Sequence, residues 1–174
     1  GCALDHGGAL GFRSLGRGAG AGLHPCDLRR EAADPGGGCG AAVGVAAGAK
    51  GQPVVCVTGD GSMLMSGQEI TVAAQHQFGV MFVVLNDSSL GMVRHGQKLG
   101  GGESIGHELP QINFALMAQA MGIEAYRIET MDELMALDIP YLLAQNKPCL
   151  LDVVIDGDEV PPMGARMKVL TGAA

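Results

Sequence analysis

Tryptophan is missing from this 174-residue chain, and aromatic residues make up only 3% of it. A core must therefore be built from Val, Leu, Ile, Met and Ala, with ten methionines available to fill irregular gaps. Positive charge is also short: 11 Lys and Arg stand against 18 Asp and Glu, a formal net charge of −7. That balance argues against a nucleic-acid partner, whose phosphates need a basic surface. It also disfavours a bare phosphate ligand and favours one bridged by a cation. No apolar run approaches the length of a membrane span and no secretory leader is visible, so no membrane partner is expected. No C-x-x-C pair is present, and the five cysteines are odd in number and scattered. Cys56 and Cys149 lie inside strand-like runs and read as small buried apolar residues. A reducing, cytoplasmic setting is the simplest inference from that usage.

The length suits one domain with a sizeable core. Residues 1–38 stand apart as an irregular N-terminal segment: 11 of them are Gly, four are Arg, and no strand or helix pattern emerges. The chain starts without Met and reads as a piece of a longer protein. Gly36-x-Gly38-x-x-Ala41 imitates a dinucleotide fingerprint, but Asp34-Pro35 stands where the required strand should be.

From residue 39 the pattern becomes regular. Val54 to Thr58 is an apolar, strand-forming run that stops at Gly59-Asp60-Gly61-Ser62. Val80 to Leu85 is a second such run, ending in Asn86-Asp87-Ser88-Ser89. Runs of this kind bounded by glycine or turn residues read as buried parallel strands. The 24 residues between Gly61 and Asn86 leave room for a turn, a helix and a strand, a βαβ unit. If the strands are parallel neighbours, Asp60 and Asn86 emerge at one sheet edge, where ligands of open α/β sheets bind. A carboxylate and an amide oxygen are hard donors suited to Mg²⁺. Gly-Asp-Gly is also a common surface turn; the preceding strand and the spacing favour ligation.

Further elements follow from local signals. Residues 40–50 form a small-residue helix candidate. Ser66-Gly67-Gln68-Glu69 reads as a capping box before a helix ended by Gly79. Ser88 to Val93 reads as a short helix-like piece, and residues 100–110 read as a mobile loop holding His107, with His95 in or near it. Asn113 caps a helix ended by Gly122, and Ala125 to Ile128 is a strand. Thr130 to Glu133 is another capping box, opening a helix to about Gln145. Cys149 to Ile155 is the last strand. Strands alternating with helices imply an α/β fold, a doubly wound, mostly parallel sheet with helices on both faces.

Gly-Asp-Gly, about two dozen residues, then Asn resembles the signature of thiamine diphosphate (ThDP) enzymes. The stretches GDGSMLMSGQEITVAAQ, VVLNDSSLGMVRHGQ and CLLDVVID with VPPM are similar to the C-terminal cofactor-binding domain of the acetolactate synthase-like branch. The likeness runs from about Gly40 to Arg166 and assigns residues 39–174 to that domain. It implies ThDP and Mg²⁺ as cofactors. Asp60, Asn86 and the backbone carbonyl of Ser88 would be the protein's metal ligands. Gly59, Gly61 and Ser62 would line the diphosphate through backbone N–H groups, where a helix start favours anions. Leu90, Gly91 and Met92 match the family's x-G-M stretch and would flank the cofactor. In the family the cofactor serves as electron sink for decarboxylation of a 2-oxo acid substrate.

The same likeness implies partners. The Glu that works on the cofactor's pyrimidine ring belongs to another domain or subunit, so no catalytic residue is assigned here and a homo- or hetero-oligomer is expected. The family's Gly-x-Met-Gly turn has no counterpart in residues 1–38. Asp87 replaces the usual second Asn, and Gly96 stands where acetolactate synthases carry a Trp that shapes the acceptor pocket. A related carboligase or decarboxylase, the small subunit of a heteromeric 2-oxo acid decarboxylase, or a non-catalytic remnant of the fold are the alternatives.

Overall fold

The computed structural model describes residues 13–14, 37–49 and 51–158. Most of the irregular N-terminal segment, Lys50 and the Val160-Pro161-Pro162-Met163 stretch lie outside the described residues. The strands are β1 (Arg13–Ser14), β2 (Val54–Gly59), β3 (Val80–Asn86), β4 (Glu124–Ile128) and β5 (Cys149–Val154). They form a sheet ordered β1-β2-β3-β5-β4. β2, β3, β5 and β4 run parallel, and β1 pairs antiparallel with β2. The expected doubly wound, mostly parallel α/β sheet is therefore present. The two-residue β1 falls where no strand was expected.

Alternation of side chains along each strand divides the core in two. One face, with Val54, Cys56, Phe82, Val84 and Leu150, packs under α1 (Gly38–Gly48), α3 (Ile70–His76) and α5 (Phe114–Ala120). The other, with Val55, Met81, Val83, Leu151 and Val153, packs under α6 (Met131–Ala136) and α7 (Ile139–Ala144). Helices thus cover both faces, as a parallel sheet requires. β3 is followed in sequence by edge strand β4, and the chain returns to place β5 between them. Asn86 therefore ends beside β5.

Several local expectations hold and several need correction. Asn113 accepts from Leu116 N–H at 2.8 Å. Thr130 and Glu133 form a complete capping box. Ser66 does not open a helix: helix α2 (Asp60–Ser66) begins directly at Asp60, and a 3₁₀ turn (Gly67–Glu69) leads into α3. The Ser66 hydroxyl donates back to the Ser62 carbonyl at 3.4 Å, the i−4 bond open to a Ser already inside a helix. Gln77, at φ 53°, closes α3 in the left-handed conformation, two residues before Gly79. The single helix expected up to Gln145 is two. Asp138 caps α7 through Tyr141 N–H at 2.9 Å, and Pro140 in its first turn has no N–H to continue α6.

Cys39, Cys56 and Cys149 are buried free thiols. Burial, with the Glu124 charge adding, pushes the Cys149 thiol up to about 11 from its ordinary 9.0. An unfolded chain ionises this thiol first, so from pH 9.0 to about 11 it sheds a proton that the folded chain keeps. Stability must fall as pH rises through that window. Cys149 should cost wild type on the order of 2 kcal/mol there. Cys149→Ala should lack this component, read as the difference between urea midpoints below and at the top of the window.

Candidate functional site

β2 and β3 pair in register from Val54↔Val80 to Gly59↔Leu85. The next residues are Asp60, the first of α2, and Asn86, the last of β3, so both arrive at the carboxyl edge of the sheet. Both are buried, each 3% exposed. One Asp60 oxygen accepts from Gly61 N–H at 2.6 Å and the other from Ser89 N–H at 3.2 Å. The loop after β3 is thus tied to the end of β2. Burial raises the Asp60 carboxyl above its ordinary range, the Gly61 and Ser89 N–H groups act against that rise, and the nearby Asp87 charge adds to it. A cation at this edge would offset the desolvation that the N–H groups leave uncompensated.

Asn86 is held from behind. Its Nδ2 donates to the Ile112 carbonyl at 3.0 Å and to Asp152 Oδ1 at 2.9 Å. Both partners can only accept, so the amide nitrogen must face them and Oδ1 must face the other way. Oδ1 accepts from Ser88 N–H at 3.3 Å and from the Ser88 hydroxyl at 3.4 Å. Ser88 sits at φ 53°, a left-handed conformation, and its carbonyl accepts from Leu109 N–H at 2.9 Å. A carbonyl oxygen keeps a second lone pair for a further partner.

The remaining expected residues lie around the start of α2 and the start of the helix that follows β3. Gly59 precedes α2 in an extended conformation, and a methyl added to it would meet nothing within 4 Å. A methyl at Gly61 would lie 2.7 Å from Leu90 Cδ2, so Leu90 fills the space that Gly61 leaves. Ser62 lies in the first turn of α2. Gly91 starts helix α4 (Gly91–Leu99), with Leu90 just before it and Met92 exposed in its first turn. Residues 100–110 are pinned to the site: Leu90 N–H donates to the His107 carbonyl at 2.7 Å, and Ser89 bridges Glu108. His95 lies in α4 and is buried, a correction to its placement near the loop, because α4 runs to Leu99. His107 Nδ1 lies 3.3 Å from the Ser89 hydroxyl.

Asp152 escaped the sequence reading. It is fully buried, pairs in register with Val84 and Arg127, and its Oδ2 accepts from Phe114 N–H at 3.0 Å and from Arg127 Nη1 at 2.8 Å. The available signal was one acid inside an otherwise apolar strand, Cys149 to Val154, since a buried carboxylate must be paired and hydrogen-bonded. Among the described residues no three His, Cys, Asp or Glu converge as a metal cluster. The donors facing the Asp60–Asn86 edge are oxygens. A groove of about 550 Å³ lies elsewhere, at the amino ends of the strands, between Gly51, Gln52, Pro53 and α7. It carries no carboxylate, unlike the carboxyl edge with Asp60.

The left-handed turn at Ser88 is testable. A β-branched residue there should lose about 1–2 kcal/mol from backbone strain. We therefore expect Ser88→Val to lower the urea midpoint and Ser88→Gly to stay near wild type. Equal midpoints for the two variants would mean that the turn carries no such strain.

Comparison with known proteins agrees with this fold. Residues 32–153 match the family described as thiamine pyrophosphate enzyme, C-terminal TPP binding domain. The acetolactate synthase large subunit of Haemophilus influenzae is 37% identical over 116 residues, covering 65% of this chain and 20% of its own. The acetolactate synthase isozyme 2 large subunit of Escherichia coli is 34% identical over 137 residues, covering 75% of this chain and 25% of its own. The structure of the thiamine diphosphate-dependent 4-hydroxybenzoylformate decarboxylase of Rhodococcus jostii RHA1 superposes with a TM-score of 0.65 at 29% identity. That match covers 72% of this chain and 24% of the decarboxylase. The chain thus spans between a fifth and a quarter of the proteins it matches. Its matched residues and its sheet both place it among the thiamine pyrophosphate enzymes, to whose C-terminal TPP binding domain family this chain belongs.

Proposed function

We propose that this chain holds the diphosphate end of ThDP through Mg²⁺, as part of an acetolactate synthase-like enzyme acting on 2-oxo acids by decarboxylation or carboligation. The observation that carries the proposal is the β2–β3 register, which delivers Asp60 and Asn86 to one edge. Asp60 would supply a carboxylate oxygen, Asn86 its amide oxygen and Ser88 its carbonyl. Mg²⁺ takes six oxygens and gives up its water reluctantly, so phosphate oxygens and water would complete its shell. The open space beside Gly59 fits close approach of a diphosphate to the backbone N–H groups of Gly59, Gly61 and Ser62. Leu90, Gly91 and Met92 would border the cofactor at the start of α4.

When bound, the thiazolium ring supplies the electron sink for loss of carbon dioxide from a 2-oxo acid. This chain's residues bind and orient the cofactor's tail; the pyrimidine side would come from another domain or subunit, in a homo- or hetero-oligomer. The same site would serve a heteromeric 2-oxo acid decarboxylase. The buried free thiols Cys39, Cys56 and Cys149 fit a reducing, cytoplasmic location. Among the described residues no helix is long and apolar enough to cross a membrane.

Calorimetry with ThDP, with and without Mg²⁺, tests the site. Wild type should bind only with the metal, and Asp60→Ala should weaken that binding by more than about tenfold, or 1.4 kcal/mol. Metal-independent binding, or unchanged affinity in the variant, would contradict the assignment.

A further inference from the structure

We infer that Asp152 is a positioning residue that sets which end of the Asn86 amide faces the cation site. The inference rests on the metal role proposed for Asn86 and adds a cause for it. An Asn side chain can rotate so that either oxygen or NH₂ points forward, and only the oxygen can bind a cation. Asp152 Oδ1 takes the Asn86 NH₂ at 2.9 Å, with the Ile112 carbonyl as second acceptor at 3.0 Å. Asp152 cannot turn away, because its other oxygen is engaged by Phe114 N–H and Arg127 Nη1 at 3.0 and 2.8 Å. The Arg127 charge also neutralises Asp152, so it can sit fully buried without a cation of its own. Geometry supplies the reach: Asp152 pairs with Val84, two residues before Asn86 on the same face of β3, a diagonal cross-strand neighbour. A buried carboxylate therefore acts on the candidate metal ligand from behind, with no contact to the metal.

The decisive variants reverse the hydrogen-bond polarity. In Asp152→Asn, the new amide must keep its oxygen toward Phe114 N–H and Arg127, which can only donate. Its NH₂ then faces the Asn86 NH₂, leaves the Ile112 carbonyl alone to hold that amide, and so favours its rotation toward the state with NH₂ at the cation. Mn²⁺ binding in the presence of ThDP, followed by loss of the free-Mn²⁺ resonance, should weaken about 10- to 100-fold. The pair Asn86→Asp with Asp152→Asn conserves net charge. The carboxylate introduced at position 86 can accept from the new NH₂ with one oxygen and offer the other to the cation. At least about tenfold of the loss should then return. A purely structural role would lower the metal-free urea midpoint and leave the affinity of the folded fraction unchanged. Unchanged Mn²⁺ affinity in folded Asp152→Asn, or no recovery in the pair, overturns the inference while the site stands. No Mn²⁺ binding by wild type overturns the site and the inference together. Should the single variant fail to fold, the pair decides alone: binding near wild type supports the inference, and a folded pair that does not bind overturns it.

Discussion

The parallel pairing of β2 with β3 is the constraint on which the site depends. Six consecutive register pairs, ending at Gly59↔Leu85, leave no freedom in where Asp60 and Asn86 arrive. A slip of one residue would turn either Val54 and Cys56 or Phe82 and Val84 out of their core face, and burial of these side chains opposes it. The apolar core therefore fixes the spacing of two polar groups that contribute nothing to that core. The binding edge is precise because the strands beneath it cannot shift.

Putting polar groups at the end of buried strands has a cost, which is met unequally. Asp152, inside β5, has Arg127, Asn86 and Phe114 N–H as partners. Among the described residues Asp60 has only backbone N–H groups, chiefly those of Gly61 and Ser89, and a neighbouring acid, and burial disfavours its ionised form. A carboxylate with an arginine and an amide as partners holds structure together; one with backbone N–H groups alone suits the ligand role proposed for Asp60. The two acids are buried to a similar degree, and their partners distinguish their roles.

Much of this was legible in the sequence, for identifiable reasons. The runs before Gly59 and Asn86 are apolar and strand-forming, and the change to Gly, Asp and Asn is abrupt, so strand ends and candidate ligands stood out. Thr130-x-x-Glu133 and Asn113 announced caps that form. What was missed depends on neighbours distant in sequence or on competition between local signals. Ser66-x-x-Glu69 has the form of a capping box, yet the chain is already helical from Asp60, and a box needs a helix start. Pro140 and Asp138 divide a segment whose apolar content alone looked continuous. Asp152 is one acid in a strand; its meaning comes from Asn86, 66 positions away, and from Phe114, 38 positions away.

Leu90 rests where a side chain at position 61 would have to go. The segments following β2 and β3 are thereby geared to one another, like two cogs sharing a tooth. Remodelling the entrance to α4 with a smaller residue at 90 would open a void above Gly61, and enlarging residue 61 would push α4 outward. Any redesign of this rim has to treat the two positions as one unit of volume.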